Sequence, residues 1–358
     1  MISDWLLSTA RCPECRASLT VQDGGDGGTL IGCTGCGAGY PQASRDFLDL
    51  RPRERFQEQT KYLEASLHAD ARHERVSPPL LGSRIRNDML RKFLDPSPSD
   101  RIVDLGCGSG RALMWNRDWG ARAVGIDIAP FFSEDARQDV DLLLGDLRRL
   151  PFADATFTAA YSLDVLEHLS PDALRGMLAE ANRILDRGGR LFVYTHVRKN
   201  ARIAVGLRWI NALARMLERA GLIDMRQERL RKSDHLNPLR DIPELEAVAS
   251  TTGFRLARIT YYTPIVGGFV ENILVRMAER AMTRRAARRL GTQDHEEPMR
   301  EARKAARERI RRKGPTYAAL GVLSMIMKLD VLLFGRVRSG PFFALLEKTE
   351  SVGVPART

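Results

Sequence analysis

The 358-residue chain has little that would send it out of a cell or through a bilayer. Residues 1–10 lack a positively charged start and a long apolar run, so no signal peptide is expected. There are only five cysteines, and without a secretory signal they argue against a disulfide scaffold. A spanning helix needs ~20 apolar residues with no charge near its centre. The apolar stretch 317–334 is interrupted by Lys328 and Asp330, so no transmembrane span is expected. Aromatic residues make up only 7% of the chain, and none lies between residues 276 and 313, its basic segment. A stacking platform for nucleic-acid bases is therefore not evident there. Acidic residues are also in deficit, leaving a net charge of +11. Most of that excess is local: 276–313 carries 14 Lys/Arg against 6 Asp/Glu. Such a segment suits anionic lipid, nucleic acid, or simply water.

The rest of the composition is ordinary for a soluble globular protein, with 44% apolar and 28% charged residues. The length allows one large core and one or two small modules. The chain is organised around residues 101–110. Ile102 to Leu105 reads as a buried parallel strand, followed by Gly106, Gly108 and Gly110 and then a helix over 111–119. Strand, glycine turn and helix start let a ligand approach bare backbone. The dinucleotide pattern G-x-G-x-x-G would need glycine at 111, where Arg111 stands. Asp104, just before the turn, would repel a pyrophosphate and attract an ammonium or sulfonium.

This combination resembles the first motif of the class I S-adenosylmethionine (SAM) methyltransferases, and in particular the ubiquinone/menaquinone-biosynthesis type of domain. Further motifs follow in that family's order over roughly 84–262. Strand 123–128 ends at Asp127, 21 residues after Gly106, and strand 142–147 contains Asp146. Strand 157–162 precedes Asp164 and the Glu167-His168 pair, and a helix over 172–185 leads to strand 190–196. The resemblance implies an α/β fold: a Rossmann-like seven-stranded methyltransferase sheet with helices on both faces. It implies SAM contacts from Asp104, Gly106, Cys107, Gly108, Gly110, Asp127, Ile128, Asp146, Leu147 and Ser162. Asp127 would take the ribose hydroxyls and Asp146 the adenine amine. Cys107 itself reads as a small residue that fits the turn.

Ahead of this domain, Cys12 and Cys15, and Cys33 and Cys36, form two C-x-x-C pairs separated by 17 residues. This is zinc-ribbon spacing, and four thiolates leave no open position, so a structural zinc is expected. Strands at 19–21 and 29–31 would form its hairpin. The expected domains are a zinc ribbon at 1–50, a linker with cofactor-capping helices at 51–98, the methyltransferase domain at 99–263 plus 341–350, and a basic and apolar helical insertion at 264–340. Tyr62, on the first capping helix, could lie over the cofactor or merely pack. The last strand of the sheet is expected at 341–348, with 269–276 as the competing choice. The insertion suits peripheral contact with an anionic membrane, or else a solvated basic face beside a core helix. The chain is expected in the cytoplasm.

A sulfonium methyl is already electrophilic, so the protein mainly aligns the acceptor and removes a proton. His168 and His196 stand at strand ends as candidate bases, with His235 in a polar loop as a third. Asp164 could orient cofactor or acceptor, or act only as a helix-start acid. The expected acceptor is small or lipid-like. RNA methylation is the alternative, less favoured because no N-P-P-Y-type motif follows the fourth strand, where Tyr161 to Asp164 stand instead. A non-catalytic module that keeps the fold is the third reading.

Overall fold

The apolar runs marked as strands lie side by side, and their alternate residues feed two separate cores. The computed structural model describes residues 2–23, 29–42, 46–53, 75–198, 204–225, 235–236, 238–290 and 296–349. The N-terminal module opens with α1 (Asp4–Thr9), whose first turn is capped by the Ser3 hydroxyl accepting from the Leu6 N–H at 3.1 Å. Three strands follow, β1 (Leu19–Asp23), β2 (Thr29–Cys33) and β3 (Gly39–Gln42), paired antiparallel in that order. The predicted hairpin is thus extended by a third strand. A two-residue strand, β4 (Leu48–Asp49), then leaves the ribbon and pairs elsewhere.

The large domain begins with α2 (Gly82–Leu94), followed by β5 (Arg101–Leu105), α3 (Arg111–Trp115), β6 (Arg122–Asp127), α4 (Glu134–Asp139), β7 (Asp141–Leu144) and β8 (Phe157–Leu163). Then come α5 (Pro171–Ile184), β9 (Leu185–His196), α6 (Ala204–Arg219), α7 (Ile242–Thr251) and β10 (Phe254–Tyr261). The insertion contains α8 (Ile265–Phe269), a π-helical stretch Val270–Val275, α9 (Arg276–Leu290), α10 (Glu296–Arg311), α11 (Pro315–Met327) and α12 (Leu329–Phe334). The last strand is β11 (Pro341–Lys348).

The sheet has the order β10-β11-β9-β8-β5-β6-β7-β4. Strands β7, β6, β5, β8 and β9 are parallel, and β11 runs antiparallel between β9 and β10. The expected seven strands are present, and β4 adds an eighth at the β7 edge, too short to leave a periodic signal. Its two residues cover an edge that would otherwise present unpaired backbone groups. Gly188 and Gly189, which stand between the expected helix and strand, lie within β9, where the pairing with β8 shifts register between Phe157 and Ala159.

Alternation along β5 and β9 sorts the two cores. Val103, Leu105, Leu191 and Val193 meet α5, α7 and the N-terminal module. Ile102, Phe192 and Tyr194 meet Ile85, Leu90 and Phe93 of α2 on the other face. Both faces are thus covered, which is what a parallel sheet requires.

Candidate active site

The glycine turn is pinned before it meets any ligand. The N–H groups of Gly106 and Cys107 both donate to the Ile126 carbonyl, at 2.9 and 3.0 Å, tying the turn to β6. Gly106 has φ 84°, and a Cβ there would stand 2.4 Å from the Val165 side chain. Gly108 has φ 54° for the opposite reason: no atom lies within 4 Å of where its Cβ would be. A side chain there would fill an open cradle, and only glycine leaves it clear.

Asp127 latches this turn. Its Oδ2 accepts from the Gly108 N–H at 2.7 Å and its Oδ1 from the Ala129 N–H at 3.0 Å. Each carboxylate oxygen keeps a further lone pair for a ligand hydroxyl. Burial raises the Asp127 carboxyl above its usual range, against the pull of those N–H groups. Asp104 is 2% exposed and lies opposite Tyr161 in the β5–β8 pairing. Burial pushes its carboxyl well above the usual range, and the charge of Asp127 adds to this.

Other predicted ligand contacts take different parts. Cys107 is buried, its sulfur 2.7 Å from where a Gly125 Cβ would stand, so it packs on β6, and burial pushes its thiol up. The fully buried Ser162 donates to the Leu105 carbonyl at 2.8 Å, fastening the ends of β8 and β5. Both oxygens of Asp146 hold Arg148, at 2.9 and 2.8 Å, because that arginine stands only two residues on. Ile128 and Leu147 are half-buried just beyond β6 and β7. Gly110 (φ 78°) closes the turn against Ala136. Tyr62 lies outside the described residues.

Next to the turn, a second group of side chains collects. Val165, which touches Gly106, belongs to the segment between β8 and α5 that also carries Asp164, Glu167 and His168. The buried Glu167 accepts from the Thr195 hydroxyl at 2.9 Å and lies 4.0 Å from His196 Nδ1. The His235 ring stands 4.7 Å from that of His168 and 5.3 Å from that of His196. Three candidate bases that are distant in sequence therefore share one site with one carboxyl. Burial raises Glu167 to about 7, with the charge of Asp164 adding to the effect. Ligand atoms of Glu167, His168 and His235 lie within 4.8 Å of one another, close enough to pass a proton or hold a cation.

Asp164 is held in a left-handed conformation, φ 57°, with its N–H donating to the Tyr194 carbonyl at 3.1 Å. A non-glycine residue in this region carries strain, which is commonest at functional sites. Its carboxylate is 3.4 Å from Arg86 Nε, and the Arg86 guanidinium lies 5.5 Å from the Tyr194 ring centre. Burial works to lower Arg86, but Asp164, Tyr194, Glu271 and Tyr262 together outweigh it and the pKa rises. Sequence reading missed Arg86 and Tyr194. Nothing in α2 distinguishes Arg86 from Arg84 or Arg91, and only the fold brings it over Tyr194. A separate cavity of about 480 Å³, lined by residues including Leu113, Trp119, Ala123 and Asp141, sits at the opposite, amino end of β6 and β7 and carries none of this chemistry.

The four N-terminal cysteines also meet. Their sulfurs lie within 4.8 Å of one another, with Cys12–Cys36 at 3.7 Å and Cys15–Cys33 at 3.3 Å. A tetrahedral zinc with ~2.3 Å bonds places its sulfurs ~3.8 Å apart, so the cluster fits that ion after small adjustments.

Residues 103–193 match the family model described as a methyltransferase domain. The chain is 39% identical over 104 residues to a demethylmenaquinone methyltransferase of Corynebacterium kroppenstedtii, covering 29% of this chain and 44% of that one. It is 29% identical over 120 residues to a sterol 4-C-methyltransferase of Caenorhabditis elegans, covering 31% and 35%. It is 33% identical over 108 residues to a Mus musculus protein named "Probable tRNA methyltransferase 9B", covering 29% and 24%. The chain thus spans less than half the length of each of these relatives.

Proposed function

We propose that this chain, whose residues 103–193 match a methyltransferase domain, is a class I SAM-dependent methyltransferase that transfers a methyl group from SAM to an O, N or C nucleophile of a small, partly apolar acceptor. The observation that carries this reading is the adjacency of two sites at the carboxyl ends of the strands. One is the open glycine cradle at Gly108 with its Asp127 latch; the other is the Glu167, His168, His196 and His235 cluster. Asp127 would accept from the ribose hydroxyls with its free lone pairs. Asp104, uncomfortable as a buried anion, would be relieved by a ligand cation. Ile128 and Leu147 would flank the adenine. Asp146 would keep Arg148 in place and reach the adenine amine only with its remaining lone pairs. SAM supplies the activated methyl group. The histidines, His196 backed by Glu167, would take the acceptor's proton, and Arg86 with Asp164 would orient its polar end.

The similarities to demethylmenaquinone and sterol methyltransferases support an acceptor with apolar character. RNA methylation is the second reading, favoured by the similarity to the tRNA methyltransferase and by the basic segment. In the N-terminal module, Cys12, Cys15, Cys33 and Cys36 would hold one structural zinc. Calorimetry tests the cofactor. SAM should bind and NAD should not, and Asp127→Ala should weaken SAM binding by ~1–3 kcal/mol through lost charge-assisted hydrogen bonds. Tight NAD binding without SAM binding would overturn the reading.

A further inference from the structure

The helical stretch Pro315–Phe334, formed by α11 and α12, is built inside out. Its polar residues Ser324, Lys328 and Asp330 face the protein beside the buried Met327, while a stripe of its apolar residues faces away. Ser324 is fully buried, accepting from the Leu81 N–H at 2.7 Å and donating to the Leu320 carbonyl at 2.6 Å. Asp330 is fully buried too, and accepts from the N–H groups of Val266 and Gly267 at 2.9 and 2.7 Å. Lys328 reaches Asp88 of α2 at 2.5 Å. The two charges that interrupt this stretch therefore clamp it flat against the domain.

The opposite stripe has helical spacing and no polar side chain: Val322, Met325, Ile326, Leu329, Leu332 and Leu333. Leu332 is 77% exposed and Leu333 64%. Water is a poor neighbour for such a face, and an ordinary surface helix has the reverse arrangement. By length and composition the stretch could cross a membrane, yet its polar clamps hold it along the domain.

A second helix repeats the feature. On α6, Val205, Trp209, Leu213 and Met216 form an exposed stripe, with Trp209 at 74%, flanked by exposed Arg208, Arg215 and Arg219. The two helices have a common neighbour in α8. Gly267 lies against Met327 and Asp330, while Gly268 lies against Leu207 of α6. Phe269, at the end of α8, is itself 41% exposed. The segment that follows exposes Arg284, Arg285, Arg288 and Arg289 on α9 and Lys304 and Arg309 on α10. An apolar stripe flanked by arginine, as on α6, matches a bilayer interface, where leucine and tryptophan enter the acyl boundary and guanidinium groups meet anionic headgroups.

We propose that the exposed stripes of α6 and of α11–α12 dock this protein on an anionic lipid bilayer, lying in the interface without spanning it. The inference rests on the reading of an apolar acceptor only for its purpose; the surface itself stands on its own geometry. The experiment is co-sedimentation of the full chain with phosphatidylcholine vesicles, with and without phosphatidylglycerol. The chain should pellet with the anionic vesicles and remain in solution with the neutral ones at the same salt. The fluorescence of Trp209 should shift to shorter wavelength on binding. Leu332→Glu with Leu333→Glu, and separately Trp209→Ser with Met216→Ser, should each lower the bound fraction about tenfold at unchanged melting temperature. Using pairs on two helices keeps the test alive if one pair misfolds. SAM affinity should be the same in all of these proteins, so loss of docking and loss of the methyltransferase reading are told apart. The proposal is overturned if the wild type stays in solution with anionic vesicles at low salt, or if both pairs bind as the wild type does. It is also overturned if the wild type is a dimer that these substitutions make monomeric, since a second copy would then cover the face.

Discussion

Glu167 is the residue whose surroundings most alter its chemistry. Its carboxyl rises from 4.5 to about 7 because burial penalises the anion and Asp164 repels it. At low pH the group is protonated in both folded and unfolded chains and costs nothing. Between about 4.5 and 7 the unfolded chain ionises first, so stability falls with rising pH; above about 7 the loss is complete. Glu167→Gln keeps an acceptor for the Thr195 hydroxyl and removes the titration. Its melting temperature relative to wild type should rise across this window, with a gain of up to about 3 kcal/mol at pH 8. A pH-independent difference between the two proteins would show that Glu167 titrates normally. At this scale the sequence was legible where the chemistry is contiguous. The run from Asp104 to Gly110 and the acid at Asp127 announce themselves because turn, latch and strand are local. The pairing of Asp146 with Arg148 was equally local but went unread, since an acid beside an arginine gives no sign of which partner it will choose. The contacts of Arg86 with Asp164, and of Glu167 with His196, were not legible, because they join segments that only the sheet order brings together.

The elements show the same division. β11 was readable as a short apolar run near the end of the chain, and it inserts between β9 and β10 with Phe342, Phe343 and Ala344 fully buried. β4 was not, because two residues carry no period. The apolar stretch at 317–334 was readable as a helix, but not the direction it faces. Hydropathy suggested that Lys328 and Asp330 were interruptions; the structure makes them its attachment points. This gives a prediction about the insertion. Asp330→Ala would leave the buried N–H groups of Val266 and Gly267 without their acceptor, and should cost roughly 2–3 kcal/mol in denaturant unfolding. Asp330→Asn, which keeps one carbonyl oxygen, should cost about half as much. If Asp330→Ala unfolds at the wild-type midpoint, the clamp does not hold α12 to α8.

At the scale of the whole molecule, the N-terminal module is not an appendage. Cys12, Ile31, Tyr40 and Leu48 belong to the same apolar cluster as Phe152, Phe157 and Leu191 of the large domain. Trp5 meets Phe157 edge to face at 6.1 Å, Arg16 pairs with Glu180 at 2.9 Å, and Arg149 pairs with Glu14 at 3.2 Å. β4 then completes the edge of the sheet at β7. A module of this size has too small a core of its own and depends on a staple. If four thiolates hold a zinc there, the metal's binding energy enters the folding of everything sharing that core. The purified chain should carry about one zinc per molecule, and Cys33→Ser should abolish it. Removing the metal with a chelator should lower the melting temperature of the entire chain in one cooperative transition, with loss of the SAM site at the same temperature. The physical reason is that opening the ribbon exposes Phe152 and Phe157 and frees the β7 edge, so the domain cannot stay folded while its neighbour melts. Calorimetry decides the point. Two separated transitions, with the upper one unmoved by chelation and still shifted upward by SAM, would mean that the shared cluster does not couple the two parts.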